Sequence, residues 1–217
     1  AQKTLEDDVL YLAKLAHQKT GSKKLCLAGG AALNCIINKK LIESDLFDDI
    51  FIQPAASDEG IALGCALFGY YSNGGSASYH MSHAYLGLRN KPESLSKVIN
   101  KWKLDASKSS SQEIAHLLAD GKIIGRVAGR SEYGPRALGN RSILADPRRP
   151  DMKNRLNTEI KRRESFRPFA PSCLEDKIPN YFQSPAKSPF MVVAGTISKN
   201  SRNKVPSITH ADNSCRI

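Results

Sequence analysis

Leu25-Cys26-Leu27-Ala28-Gly29-Gly30-Ala31-Ala32-Leu33-Asn34 is the stretch on which the fold turns. Leu25 to Ala28 reads as a short buried strand, the paired glycines turn the chain, and Ala31 to Ile37 returns to helical spacing. Upstream, Leu5, Val9, Leu12, Ala13 and Ala16 predict an amphipathic helix over about 5–19. Downstream, Ile50-Phe51-Ile52 predicts a second strand that stops near Pro54. Ser57-Asp58-Glu59 then supplies start signals for a helix over about 59–71. Helices alternating with strands argue an α/β fold.

Ser72-Asn73-Gly74-Gly75-Ser76 is a turn or linker cluster. A domain boundary is expected between it and residue 90, dividing the chain into 1–82 and 83–217. Beyond it, Gln112 to Leu118 predicts a helix ended by Asp120-Gly121, and Ile123 to Val127 a strand. Asp151 to Ile160 predicts a further helix, Phe190 to Ile197 a strand, and Lys199 to Lys204 a polar loop.

Charge separates the two parts. Residues 1–82 carry 7 Lys+Arg against 9 Asp+Glu, a net −2, whereas 83–217 carry 25 against 12, a net +13. The basic part expects an anionic partner, either a phosphorylated small molecule or nucleic acid. No apolar run approaches the ~20 residues that span a bilayer, so no membrane partner is expected. The five cysteines are odd in number and include no CxxC pair; Cys26 and Cys65 sit in apolar runs. That usage points to a reducing, cytoplasmic setting and not to a disulfide framework.

The chemistry concentrates in Gly129-Arg130-Ser131-Glu132-Tyr133-Gly134-Pro135-Arg136-Ala137-Leu138-Gly139-Asn140-Arg141-Ser142-Ile143-Leu144, a loop after the 123–127 strand. Glycine admits positive φ and close approach of the backbone to a ligand. Arginine presents a planar fork of donors that matches phosphate and carboxylate. Surface salt bridging to Glu132 and Asp146 is one bland alternative. Nucleic-acid backbone binding is another, disfavoured because Tyr133 is the loop's one aromatic. A small phosphorylated ligand fits best.

Other constellations are weaker. Gly29-Gly30 before a helix start suits a phosphate or nucleotide, or simply tight packing. Asp58, where a strand hands over to a helix, either caps that helix or ligates a metal; the residues alone favour the cap. In Lys161-Arg162-Arg163-Glu164-Ser165-Phe166-Arg167-Pro168-Phe169, the first three cations suit a helix C-terminus. Arg167 is expected to be framed by Phe166, Pro168 and Phe169 and to face something specific. His210, with Asp212 nearby, is either structural or an acid–base group.

The segments GRSEYGPRALGNRSILADPR, RLNTEIKRRESFRPFAPS, SPFM and THAD resemble the carboxy-terminal region of the O-carbamoyltransferases that decorate antibiotics and nodulation factors. LAGGAALN and PAASDEGIALG resemble the end of their actin-like, sugar-kinase-type domain. The resemblance implies that 1–82 closes an actin-like ATPase domain. It implies that 83–217 is a partial α/β domain similar to threonylcarbamoyl-adenylate synthases. It further implies a two-step reaction in which carbamoyl phosphate and ATP give carbamoyl-adenylate, and the carbamoyl group then passes to a substrate hydroxyl.

By motif match, Arg136, Arg141 and Arg167 would face the phosphates and carry the chemistry, helped by Arg130, Lys161 and His210. Gly29, Gly30 and Asn34 would lie in the nucleotide turn, and Asp58 would be a metal ligand. Mg²⁺ on ATP and Fe²⁺ or another divalent ion in the actin-like domain follow as expectations. The family's upstream half and a later asparagine–threonine–serine–phenylalanine stretch are absent from these 217 residues. An internal piece of a longer enzyme, without full turnover of its own, is therefore expected; a homodimer is compatible. A nucleic-acid-binding protein and a non-catalytic assembly module are the competing classes.

Overall fold

The structure, a computed structural model, describes residues 1–89, 92–183 and 187–217. Its first unit is α1 (Gln2–Thr20), β1 (Lys24–Leu27), α2 (Cys35–Glu43) and β2 (Asp49–Ile52). Gly21 ends α1 in the left-handed region at φ 66°, its amide bonded to the His17 carbonyl. β1 and β2 pair in parallel, from Lys24 opposite Asp49 to Leu27 opposite Ile52. The helical run expected from Ala31 is broken in two. A 3₁₀ turn covers Gly30–Leu33, and α2 starts only after Asn34, whose Oδ1 accepts from the Ile36 and Ile37 amides at 3.2 and 3.3 Å. An N-cap asparagine sits outside helical φ/ψ, so it divides the segment.

A 3₁₀ turn, Asp58–Gly60, leads into α3 (Ile61–Ser72). No α3 residue is buried, and Phe68 is 76% exposed. α4 (Pro92–Trp102) is a helix beyond those expected; α5 (Ser111–Ala119) matches expectation and carries a full capping box between Ser110 and Glu113. β3 (Ile124–Val127) pairs antiparallel with β4 (Arg141–Leu144), so the end of the arginine segment is strand and not loop. α6 (Met152–Arg155) continues as a π turn over Leu156–Ile160. α7 (Ile178–Tyr181) precedes β5 (Phe182–Gln183), and a three-stranded antiparallel sheet runs β5, β6 (Ala194–Ile197), β7 (Ser214–Arg216). β6 starts four residues later than Phe190 because Met191 turns the chain at φ 56°.

The outcome is a mixed α/β chain of small sheets. One core cluster joins Ala32, Ile52 and Ala56 to Phe190, Val192 and Val193, so apolar packing links the first strands to the last part of the chain. Buried Asn38 ties the same two regions, its Nδ2 donating to the Ala32 and Val192 carbonyls at 2.7 and 2.8 Å. A second cluster, Phe182, Ile197, Val205, Ile208, Cys215 and Ile217, backs the three-stranded sheet. All five cysteines are free. Among the described residues no helix is long and apolar enough to cross a membrane.

Candidate functional site

The arginine segment is organised by an acid. The Glu132 side chain is fully buried, and its Oε1 accepts from the amides of Leu138, Asn140 and Arg141 at 2.8, 2.7 and 3.2 Å. Its Oε2 accepts from Arg141 Nε at 2.9 Å, and Arg141 Nη2 returns to the Glu132 carbonyl at 2.8 Å. Burial pushes this carboxyl up, but the Arg141 guanidinium and the backbone amides outweigh it and bring the pKa down to about 2. The salt bridge weighed from sequence therefore exists, as an internal clamp and not a surface pair. Gly134 stands at φ 108°, and a Cβ there would lie 2.9 Å from the Pro54 carbonyl oxygen, so the loop needs glycine to seat against the Pro54–Ala55 turn.

The loop's three arginines are used differently. Arg141 is held by Glu132. Arg130 donates to the Gly87 and Leu86 carbonyls at 2.9 and 3.1 Å and pins the segment before α4. Among the described residues Arg136 donates one long bond, Nη2 to the Leu33 carbonyl at 3.3 Å, and its buried Nε has no partner. Leu33 closes the turn that Gly29 and Gly30 open. Tyr133 Oη donates to the Glu59 carbonyl at 2.5 Å, beside Asp58. One loop thus touches both the glycine turn and the Asp58 turn.

Arg136 has cationic neighbours from distant parts of the chain. Arg216 on β7 is partly buried with an unpartnered Nε. Burial depresses its pKa, and the charges of Arg136 and Arg163 depress it further. Arg163 is the cation set in an apolar frame: its guanidinium lies 4.9 Å from the Phe169 ring centroid, and its Nε donates to Asn157 Oδ1 at 2.8 Å. His210 adds a third buried, unpartnered nitrogen, Nε2. Burial lowers its pKa; Asp212 opposes this, while Lys153 and Arg216 add to it. His210 Nδ1 lies 3.0 Å from Ser214 Oγ, which donates to Asp212 Oδ1 at 2.6 Å. That arrangement makes Nδ1 the donor and leaves the Nε2 lone pair free. Arg136 Nε, Arg216 Nε and His210 Nε2 are thus three buried nitrogens without a hydrogen-bond partner among the described residues, on half-buried side chains.

Residues 1–67 match the carbamoyltransferase N-terminus model, and residues 115–217 match the carbamoyltransferase C-terminus model. The chain belongs to the carbamoyltransferase family. Nodulation protein NolO of Bradyrhizobium diazoefficiens is 43% identical over 225 residues, covering 100% of this chain and 41% of the relative. Nodulation protein U of Sinorhizobium fredii is 40% identical over 201 residues, covering 93% of this chain and 35% of the relative. An uncharacterized protein of Methanocaldococcus jannaschii is 35% identical over 224 residues, covering 99% and 37%. The chain spans about two fifths or less of the length of these relatives.

Within this carbamoyltransferase chain, the structure brings Arg136 and His210 to one charged region through Arg216, and sets Gly29, Gly30 and Asn34 next to it through Leu33. Asn34 is engaged as the α2 cap and donates Nδ2 to Gln2 at 2.9 Å. Arg167 is exposed and paired with Glu164 at 3.6 Å, and Phe166 does not frame it, being 75% exposed. Lys161 is exposed at the end of the π turn. Asp58 is exposed in the first turn before α3; the capping position falls to Ser57, which makes no side-chain cap bond, so the cap reading is corrected. Among the described residues no three of His, Cys, Asp or Glu converge on a metal site. Arg163, Arg216, Lys153 and Asn157 lie outside the residues that the sequence motifs single out. Only Arg163 had a local signal, its place before Phe169.

Proposed function

We propose that this chain holds the phosphate-binding part of an ATP-dependent O-carbamoyltransferase. What supports the reading is the set of buried nitrogens without partners among the described residues, on Arg136, Arg216 and His210, together with the mutual charge repulsion of Arg136, Arg163 and Arg216. Carbamoyl phosphate and ATP together bring several negative charges to one place, and fixed cations quench that repulsion at no reorganisation cost. The steps implied by the family resemblance balance. One water cleaves carbamoyl phosphate to carbamate and phosphate. A carbamate oxygen then displaces pyrophosphate at the α-phosphorus of ATP, giving carbamoyl-adenylate, and an acceptor hydroxyl finally displaces AMP from the carbamoyl carbon. His210, neutral with its Nε2 lone pair free, is the group placed to accept a proton in this region.

In this reading, 1–82 closes an actin-like domain and 83–217 belongs to the adenylate-forming one. Asp58 offers one carboxylate to a divalent ion; the described residues do not complete a ligand set, so the ion's chemistry is not carried by this chain alone. Mg²⁺ would accompany ATP and share in neutralising its phosphate charge. Calorimetric titration with carbamoyl phosphate, ATP and an RNA oligomer tests the proposal. Both small ligands bind wild type, and Arg136→Ala and Arg216→Ala each weaken them about tenfold or more with an unchanged circular dichroism spectrum. Tight RNA binding without ATP binding, or unaltered affinity in both variants, refutes it.

A further inference from the structure

We propose that the open edge of β1 takes an added strand from a part of the carbamoyltransferase polypeptide outside these 217 residues. The inference rests on the family match and not on the phosphate reading, so the two fail separately. β1 and β2 form a two-stranded parallel sheet. Parallel sheets are stable with more strands and with both faces covered, so a pair with a free edge exposes unpaired backbone. The Lys23 and Leu27 carbonyls accept from the Asp49 and Gln53 amides at 3.3 and 3.2 Å, and Gly29 N donates to the Ala56 carbonyl at 2.6 Å. Those residues thus face β2. Successive residues of a strand turn their backbone groups to opposite sides, so Cys26 and Ala28 turn theirs to the open side. Among the described residues neither bonds to any segment there. Lys24 is already engaged, its amide donating to Ser22 Oγ at 3.1 Å and its carbonyl accepting from that hydroxyl at 2.9 Å.

Beside this edge lies an apolar groove of about 290 Å³. Val9, Leu12 and Ala16 of α1 and Ile37 of α2 wall it, and Leu25 and Leu27 of β1 complete it. Among the described residues none of β2 lines it, which puts the groove on the open side. Leu12 is 59% exposed, and Ala16 and Ala28 are exposed with it. A strand seated there pairs with Cys26 and Ala28 through its backbone and rests every second side chain on Leu12 and Ala16. The occupant is thus an extended segment, apolar at alternate positions on the helix side. Its source is the length that the relatives carry. About three fifths of NolO and roughly two thirds of the Sinorhizobium fredii nodulation protein U lie outside the match. A second copy of this chain would bring only its own edge, shortened by the same Ser22 contacts.

The test uses this chain alone and a chimera in which it replaces the 225-residue match within full-length NolO. Hydrogen exchange at the Cys26 and Ala28 amides is expected to be about a hundredfold or more slower in the chimera, with Leu27 protected in both. Leu12→Glu is expected to leave the melting midpoint of the chain alone within about 2 °C, because that side chain is already exposed. The same substitution should lower the midpoint of the chimera by about 5 °C or more. Cys26→Pro removes an amide that faces the open side, so it is expected to show the same split. Exchange at Cys26 and Ala28 that is equally fast in both proteins overturns the proposal. So does an equal effect of Leu12→Glu on both, or a chimera that stays insoluble where NolO is soluble. Slow exchange at both amides in the chain alone, with a dimer in sedimentation, assigns the edge to a second copy and also overturns it.

Discussion

Replacing Glu132 with Gln removes the acid on which the arginine loop is strung. Burial alone would raise this carboxyl, yet the Arg141 guanidinium and the converging amides bring it from an ordinary 4.5 to about 2. At about 1.36 kcal/mol per pH unit, that difference is worth about 3 kcal/mol of folding stability. The sign follows from the direction. A depressed carboxylate contributes fully above its unfolded value, and the contribution is lost as the pH falls from 4.5 towards 2. Glutamine cannot accept from three amides and Arg141 Nε together, because one of its two terminal groups only donates. Arg141 is then left without its charge partner. Glu132→Gln should therefore lose about 3 kcal/mol at pH 7, read from urea unfolding followed by circular dichroism. The difference between the two proteins should shrink to near zero by pH 2. A variant within about 0.5 kcal/mol of wild type at pH 7, the scatter of an ordinary surface substitution, would refute the clamp.

Other substitutions separate packing from charge. Gly134→Ala forces a side chain into φ 108° and 2.9 Å from the Pro54 carbonyl oxygen, and should cost about 1–3 kcal/mol in the same unfolding assay. Arg216→Met removes one of several crowded cations at a half-buried position, and should raise stability by about 1–2 kcal/mol while abolishing carbamoyl phosphate binding in calorimetry. Sulfate, whose own charge is constant across this range, should bind about threefold or more tightly at pH 5.5 than at pH 7.5. A bound anion favours the imidazolium that burial disfavours, so His210→Gln should flatten the profile.

The parts legible in the sequence are those governed by nearby residues. The spacing of Leu5, Val9 and Leu12 gives α1, Ile50-Phe51-Ile52 gives β2, and Gly121 marks the end of α5. The α4 helix has its signal in the spacing of Leu95, Val98 and Trp102, which no glycine breaks. β4 was hidden because Arg141-Ser142-Ile143-Leu144 pairs with β3 across the loop, and pairing is a long-range property. The site divides the same way. Arg136 stood out because glycines surround it. Arg216 could not, since what makes it notable is its closeness to Arg136 and Arg163, brought about by β7 joining a sheet edge. Glu132 looked like a surface partner because its three amide donors follow it by six to nine residues in a folded turn, which no spacing rule encodes.

The crowded cations around Arg136 also govern how this polypeptide should be handled at the bench. Any oxyanion in the medium that favours the native form lowers its free energy by mass action, in proportion to the logarithm of concentration over dissociation constant. Phosphate or sulfate salts should hence lift the melting midpoint above that seen in a chloride or Tris solution of matched ionic strength. The same salts would compete for these cations and hide a weak substrate, so the medium that best preserves the sample is the one in which its ligands are hardest to detect.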